Sequence, residues 1–193
     1  MLKNQNGKVQ AKRVGFYRLI HDDELKAIIG ALLVLNEVGK PEEFRVTLPV
    51  KPTLIQRQLY GESLLPHVGI ELCGKPLVDM LKTVPDLLVI NPIQLLGLAE
   101  AITVPTVYVE RAGESFVVNV PSATEGAKKQ KVQSASGRFE PLSVSYPTTY
   151  NQADCASAAT LVSDFFTAID LLEPFNRITI AIQTLRTQDE RFR

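Results

Sequence analysis

The stretch PDLLVINPIQLLGLAEAITVPTVYV, residues 85–109, decides the fold. It opens with a short apolar run, Pro85 to Ile90, and closes with another, Val104 to Val109. Runs this short and this apolar suit strands buried on both faces. Between them Asn91-Pro92 makes a turn that also suits a helix start, and Ile93 to Ile102 reads as a short helix. Strand, short helix, strand forms a compact unit whose strands run in parallel through a right-handed crossover. The two strands are therefore expected side by side in one sheet.

Upstream, Val14 to Ile20 is rich in aromatic and branched residues and reads as a strand, and His21 to Glu24 as a turn. Leu25 to Val38 is long enough for a helix, yet its core lacks a polar face and suits a buried strand as well; the strand, paired with the first, is preferred. Gly39 to Glu43 is a second turn, and Phe44 to Leu48 a third strand ended by Pro49 and Pro52. Thr53 can cap a helix from Leu54 to about Leu65, before Pro66. Ile70 to Thr83 reads as a further helical stretch, with Pro76 in its first turn and Leu77, Met80, Leu81 and Val84 on one face.

Downstream, Phe116 to Val120 reads as another strand. Residues 121–138, rich in Ser, Ala, Gly and Lys, read as a long exposed loop. Cys155 to Leu172 is expected to be helical, with Glu173-Pro174 breaking it before a last helix over Phe175 to Leu185. The expected fold is α/β, a mixed sheet of about five strands (a three-strand meander, then β-α-β) with helices on its faces and a helical C-terminal segment. The expected layout is one domain: a polar arm over 1–13, an α/β core over 14–120, the loop over 121–138, and the helical segment over 139–193 packed on the core.

The 193 residues are 45% hydrophobic and 22% charged, enough apolar material for a real core. Lys plus Arg number 21, as do Asp plus Glu, so the net charge is zero. That balance argues against a nucleic-acid partner, whose affinity draws on a basic excess, although a local basic patch is compatible with it. The polar N-terminus has no signal-peptide core, and the most apolar run, Ala27 to Val38, is too short to span a bilayer. The expectation is a cytoplasmic protein with no membrane partner. Cys73 and Cys155 are expected as free thiols, and with His21 and His67 they show no metal-ligand spacing, so no metal site is expected.

The candidate site lies at the strand ends. Ligands of parallel sheets gather beyond the carboxyl ends of strands. Asn91 follows the first strand of the β-α-β unit, and Glu110 with Arg111 follows the second, so these residues are the binding candidates. Asp22, Asp23 and Glu24 fall in a turn, where Asp serves local backbone hydrogen bonds. His67 and Cys73 are close in sequence, but Cys73 sits between Leu72 and Gly74, the setting of a buried inert thiol. Lys128, Lys129 and Lys131 form the basic cluster and are the candidates for contact with nucleic acid, although no aromatic residue interleaves them. There is no Gly-rich phosphate loop and no nucleophile elbow.

Leu64-Leu-Pro-His-Val-Gly-Ile-Glu71, then Pro85 to Ile90, then Leu96-Gly-Leu-Ala99, then Val104 to Val109 follow the order and spacing of a known family. Across residues 14–111 the chain resembles the endonuclease V branch of the ribonuclease H-like fold. That family has a Pro-rich segment leading to a Glu, a strand ending in Asp-Gly, a Gly-Leu-Ala helix and a Pro-Thr strand. The resemblance implies cleavage of nucleic acid by a divalent metal held on carboxylates, one on the first strand and one at the Asp-Gly position. Glu71 stands where the family has its glutamate, but Val14 to Ile20 contains no acid and Asn91-Pro92 replaces Asp-Gly. An amide brings no negative charge to a Mg²⁺ site.

With no complete catalytic constellation, the first expectation is a non-enzymatic binding or assembly module, a catalytically inactive ribonuclease H-like domain without a cofactor. Its partner would be another protein or a second copy, met through the apolar C-terminal helices. The alternatives are a Mg²⁺-dependent nuclease with rearranged acids, Glu71, Asp86 and Glu110, or a small-molecule domain using the rim near Asn91.

Overall fold

A computed structural model describes residues 12–22, 26–113 and 127–192. The first three strands form an antiparallel meander: β1 (Arg13–Asp22), β2 (Ala27–Asn36) and β3 (Pro41–Val46). Leu25 to Val38 is thus largely a strand, and nine of the ten β2 residues are buried. A strand interior to a sheet covered on both faces has no water-facing side, which is why this run shows no polar stripe. The β-α-β unit follows as β4 (Leu87–Asn91) and β5 (Thr106–Arg111). They are adjacent and parallel, as expected, and β4 also runs parallel to β1. The connection between them, Ile93–Glu100, is a 3₁₀ helix.

The sheet has seven strands rather than about five, in the order β3-β2-β1-β4-β5-β7-β6. The additions are β6 (Lys128–Val132), inside the segment expected to be a loop, and β7 (Leu142–Tyr146), inside the segment expected to be helical. In β6 only Val132 is buried, so Lys-Lys-Gln-Lys reads as loop until β7 is present to pair with it. Leu-Ser-Val-Ser-Tyr in β7 does alternate, and Leu142, Val144 and Tyr146 enter the core. Residues 1–11, 114–126, with the expected strand Phe116 to Val120, and Asp23, Glu24 and Leu25 lie outside the described residues.

Two layers cover the sheet. On one face Val14, Phe16, Leu87, Val89, Val107 and Val109 pack against α4 (Gln152–Phe166) and α5 (Glu173–Gln188). Asn151 caps α4 by accepting from the Ala153 and Asp154 N–H groups. Glu173-Pro174 starts α5 instead of breaking a helix, since a proline is tolerated in the first turn. The apolar sides of both helices are buried here: Val162, Phe165, Phe166, Phe175, Ile178 and Ile182 are each at most 3% exposed. These side chains face the sheet, while Ile180 on α5 is 55% exposed.

On the other face Tyr17, Leu19, Ile28, Leu32, Leu88 and Ile90 meet the helical segment from Leu54 to Asp79. That segment comprises α1 (Leu54–Tyr60), α2 (Leu64–His67), a π-helical turn over Val68–Gly74, and α3 (Lys75–Asp79). It continues through Pro66, where a stop was expected. Leu77 is buried, but Met80 and Val84, expected on the same face, are each 62% exposed because α3 ends at Asp79. The π-helical turn lies hard against β2: a Cβ at Gly30 would come within 2.6 Å of the Cys73 Cβ. Among the described residues no helix is long and apolar enough to cross a membrane.

Candidate functional site

The candidate site is built at the ends of β4 and β5, beside the middle of β1. Asn91 is the last residue of β4, and its partner across the parallel ladder is Arg18 of β1. Strand alternation turns both side chains toward α5, on the side of Phe16 and Val89. Arg18 donates from Nη1 to the Phe175 carbonyl of α5 at 3.1 Å. It has no carboxylate partner among the described residues, and burial alone pulls its pKa below the usual guanidinium value. The two cross-strand positions at this rim therefore hold a half-buried cation and a carboxamide.

The first strand does carry an acid, because β1 runs to Asp22 rather than stopping at Ile20. Asp22 lies four residues beyond Arg18, about 13 Å along an extended chain. Its carboxylate is 8% exposed and forms an ion pair with Arg186 near the end of α5. Sequence reasoning placed Asp22 in a turn and did not find Arg18 or Arg186. An Arg is legible in a sequence, but its place opposite Asn91 depends on strand register.

The other binding candidates divide between the two faces. Ile90 pairs with Tyr108, so Glu110, two residues on, points to the face opposite Asn91. Glu110 accepts from Lys129 Nζ at 3.3 Å and from the Tyr108 hydroxyl at 3.4 Å. Burial, and then the Glu110 charge, pushes Tyr108 up to about 12. Arg111 shares the Asn91 face and is tied by Nη2 to Asp170 at 2.5 Å. Asn91, Glu110 and Arg111 thus share one end of the sheet but not one cleft.

The acids proposed for a rearranged nuclease are also separated. Asp86 precedes β4 and accepts from the Arg13 backbone N–H at 2.8 Å. It sits at the opposite end of β4 from Asn91, about 16 Å away by strand rise. Glu71 is exposed on the π-helical turn, in the layer across the sheet from α5. Among the described residues no three His, Cys, Asp or Glu side chains gather closely enough to hold a metal ion. The Arg18–Asn91 pair does not fit one, because it offers no anionic oxygen and presents a positive charge.

The remaining candidates take local roles. His67 stacks on Tyr60 with ring centroids 4.9 Å apart. Cys73 is fully buried with its Sγ 3.8 Å from Thr47 Oγ1, and burial pushes its thiol up. These two side chains do not form a nucleophile–base pair, and both cysteines are free. Lys128 donates to the Tyr150 carbonyl at 2.8 Å, while Lys131 stands exposed on the same strand.

No family model and no curated protein matches the chain in sequence. Solved structures do match in shape. The crystal structure of endonuclease V from Bacillus subtilis aligns with a TM-score of 0.56 at 10% identity, over 92% of this chain and 83% of that one. The catalytic domain of human endonuclease V gives 0.49 at 16% identity, over 80% and 74%. Endonuclease V from Streptomyces avermitilis gives 0.45 at 20% identity, over 78% and 72%. The Bacillus structure carries the likeness, which is one of fold: a ribonuclease H-like sheet resembling that of endonuclease V.

Proposed function

We propose that this chain is a non-enzymatic binding or assembly module on a ribonuclease H-like sheet. One observation carries the reading: Arg18 of the first strand stands directly across from Asn91, and the first strand and the Asn91 position are where the resemblance implies metal-holding carboxylates. Mg²⁺ and Mn²⁺ in phosphodiester cleavage are held by fixed carboxylate oxygens, and a guanidinium in their place repels the cation. Exposed apolar side chains support a protein partner or self-association. No residue of α1 is buried, and Leu54, Ile55 and Leu59 are 74%, 70% and 79% exposed. Zero net charge fits a protein partner better than nucleic acid, and the cytoplasm is the compartment we infer from the two free thiols.

The fold likeness itself favours a second reading, a metal-dependent nuclease with relocated acids. Asp86 lies at the wrong end of β4 for this, so Glu71 and Glu110, both on the side of the sheet away from α5, are the acids it would draw on. Incubation with single- and double-stranded DNA and RNA, deaminated-base substrates included, in Mg²⁺ and in Mn²⁺ separates the two. No cleavage is expected. Metal-dependent cleavage that disappears in Glu71→Gln would overturn the binding-module reading in favour of the nuclease.

A further inference from the structure

β3 is the outermost strand on the β2 side of the sheet, and the chain leading into and out of it is described throughout, from residue 26 to 113. Its ladder with β2 is regular from Glu43 to Val46. Thr47, next in line, donates its N–H to the Gly30 carbonyl of β2 at 2.9 Å. Backbone groups alternate in direction along a strand, so Phe44 and Val46 turn their N–H and C=O groups away from β2. A cavity of about 480 Å³ adjoins this edge, lined by Glu42, Glu43, Phe44, Arg45, Lys82 and Thr83. Phe44 is 38% exposed. Met80 and Val84 flank the turn whose Lys82 and Thr83 N–H groups bind Glu43, and each is 62% exposed. Arg45 gives its Nε to Glu43 at 2.7 Å, and its Nη groups make no hydrogen bond among the described residues.

We infer that β3 pairs antiparallel with β3 of a second copy of this chain, centred on Phe44, so that two sheets join across a twofold axis. The charges on the strand choose both the occupant and the register. With Phe44 against Phe44, Glu43 of each copy stands opposite the partner's Arg45, and the symmetry makes that contact twice. The outward backbone groups admit registers that differ by two residues. A slide of two residues in one direction sets Glu43 against the partner's Glu43, and in the other Arg45 against the partner's Arg45. Like charges directly opposite are destabilising, so the register centred on Phe44 is the favoured one. In it the two Phe44 residues exchange both main-chain hydrogen bonds and lay their rings side by side. The Nη groups of Arg45 then have the partner's Glu43 carboxylate within reach, a charge-assisted contact.

This inference rests on the assembly reading and names the partner as a second copy, but its test is separate from the cleavage assay. Sedimentation velocity of the full chain, from micromolar to sub-millimolar concentration, should show a reversible dimer, weak because the paired strands are short. Arg45→Glu and Glu43→Arg should each weaken it about tenfold, since each sets like charges opposite one another. An equimolar mixture of these two variants should dimerise again, because every acid of the first then meets an arginine of the second. Restoration on mixing is a result that a merely structural role of either residue would not give. Phe44→Lys, at an exposed position, should also dissolve the dimer by setting two cations across the axis while the circular dichroism spectrum stays unchanged. No dimer at any of these concentrations, or no restoration on mixing, overturns the inference. A dimer that survives Phe44→Lys lies on another surface, such as the exposed face of α1, and overturns it too. Metal-dependent cleavage by a chain that still dimerises through β3 would overturn the non-enzymatic reading alone.

Discussion

Replacing Arg18 and Asn91 together by aspartate tests whether these two positions face each other as a carboxylate pair must. Neighbouring parallel strands lie about 4.8 Å apart, so two carboxylates at these positions would stand about 5 Å from one another. At an effective dielectric of about 20 their repulsion is about 3 kcal/mol. Losing the hydrogen bond from Arg18 to the Phe175 carbonyl adds about 1 kcal/mol. A chain of this size shifts by about 2–4 °C per kcal/mol, so the double variant should melt about 8–16 °C below wild type in EDTA. Asn91→Asp alone should be neutral or stabilising, because it sets a carboxylate against the guanidinium. Mn²⁺ at a hundred times its dissociation constant should return about 2.7 kcal/mol to the double variant and leave the wild-type melting temperature where it is. Calorimetry on wild type, both single variants and the double gives the coupling energy directly. A folded double variant that shows no coupling and ignores Mn²⁺ would refute the placement of Arg18 and Asn91 as the two sides of one site.

Glu43 should make stability fall on acidification. Burial pushes its carboxyl up, but hydrogen bonds from Arg45 and from the Lys82 and Thr83 N–H groups outweigh that and hold it below its ordinary value. A carboxyl depressed by folding contributes above its unfolded pKa, and the contribution is lost as pH falls through the folded value. Urea midpoints should therefore separate wild type from Glu43→Gln by about 1–2 kcal/mol at pH 7, and the gap should narrow as the pH falls below the ordinary glutamate range; a constant gap would count against it. Tyr17→Phe removes a buried 2.6 Å hydrogen bond to the Gly69 carbonyl and should cost about 1–2 kcal/mol in chemical denaturation, and no loss would mean that this contact does not hold the π-helical turn to the sheet. Gly30→Ala should cost about 1–3 kcal/mol, since its Cβ would lie 2.6 Å from the Cys73 Cβ, and an unchanged midpoint would show that the two layers can part there. Ile55→Glu with Leu59→Glu should change stability by no more than about 0.5 kcal/mol, both sites being exposed, while lowering any self-association seen by ultracentrifugation.

The elements with a local signal could be read from the chain alone. Residues 85–109 announce a parallel pair because two apolar runs, each too short for a helix, flank one short periodic segment. The β1–β2 hairpin was legible for a similar reason, since a run apolar on every side has to lie inside. The order of these elements also carried the resemblance to a ribonuclease H-like sheet, which the fold bears out. Every feature that depends on a distant partner appears only once the chain has folded. Lys128 to Val132 is a strand only because Leu142 to Tyr146 lies beside it, and Met80 is exposed only because α3 ends one residue before it. The site belongs to the same class. Asn91 and Glu110 each follow an apolar run, yet one residue of register sends them to opposite faces of the sheet. Arg18 meets Asn91 across seventy-three positions of sequence because β4 docks beside β1 in that register. Register is set by how the two apolar faces fill, a property of the whole core that no single stretch of the chain contains.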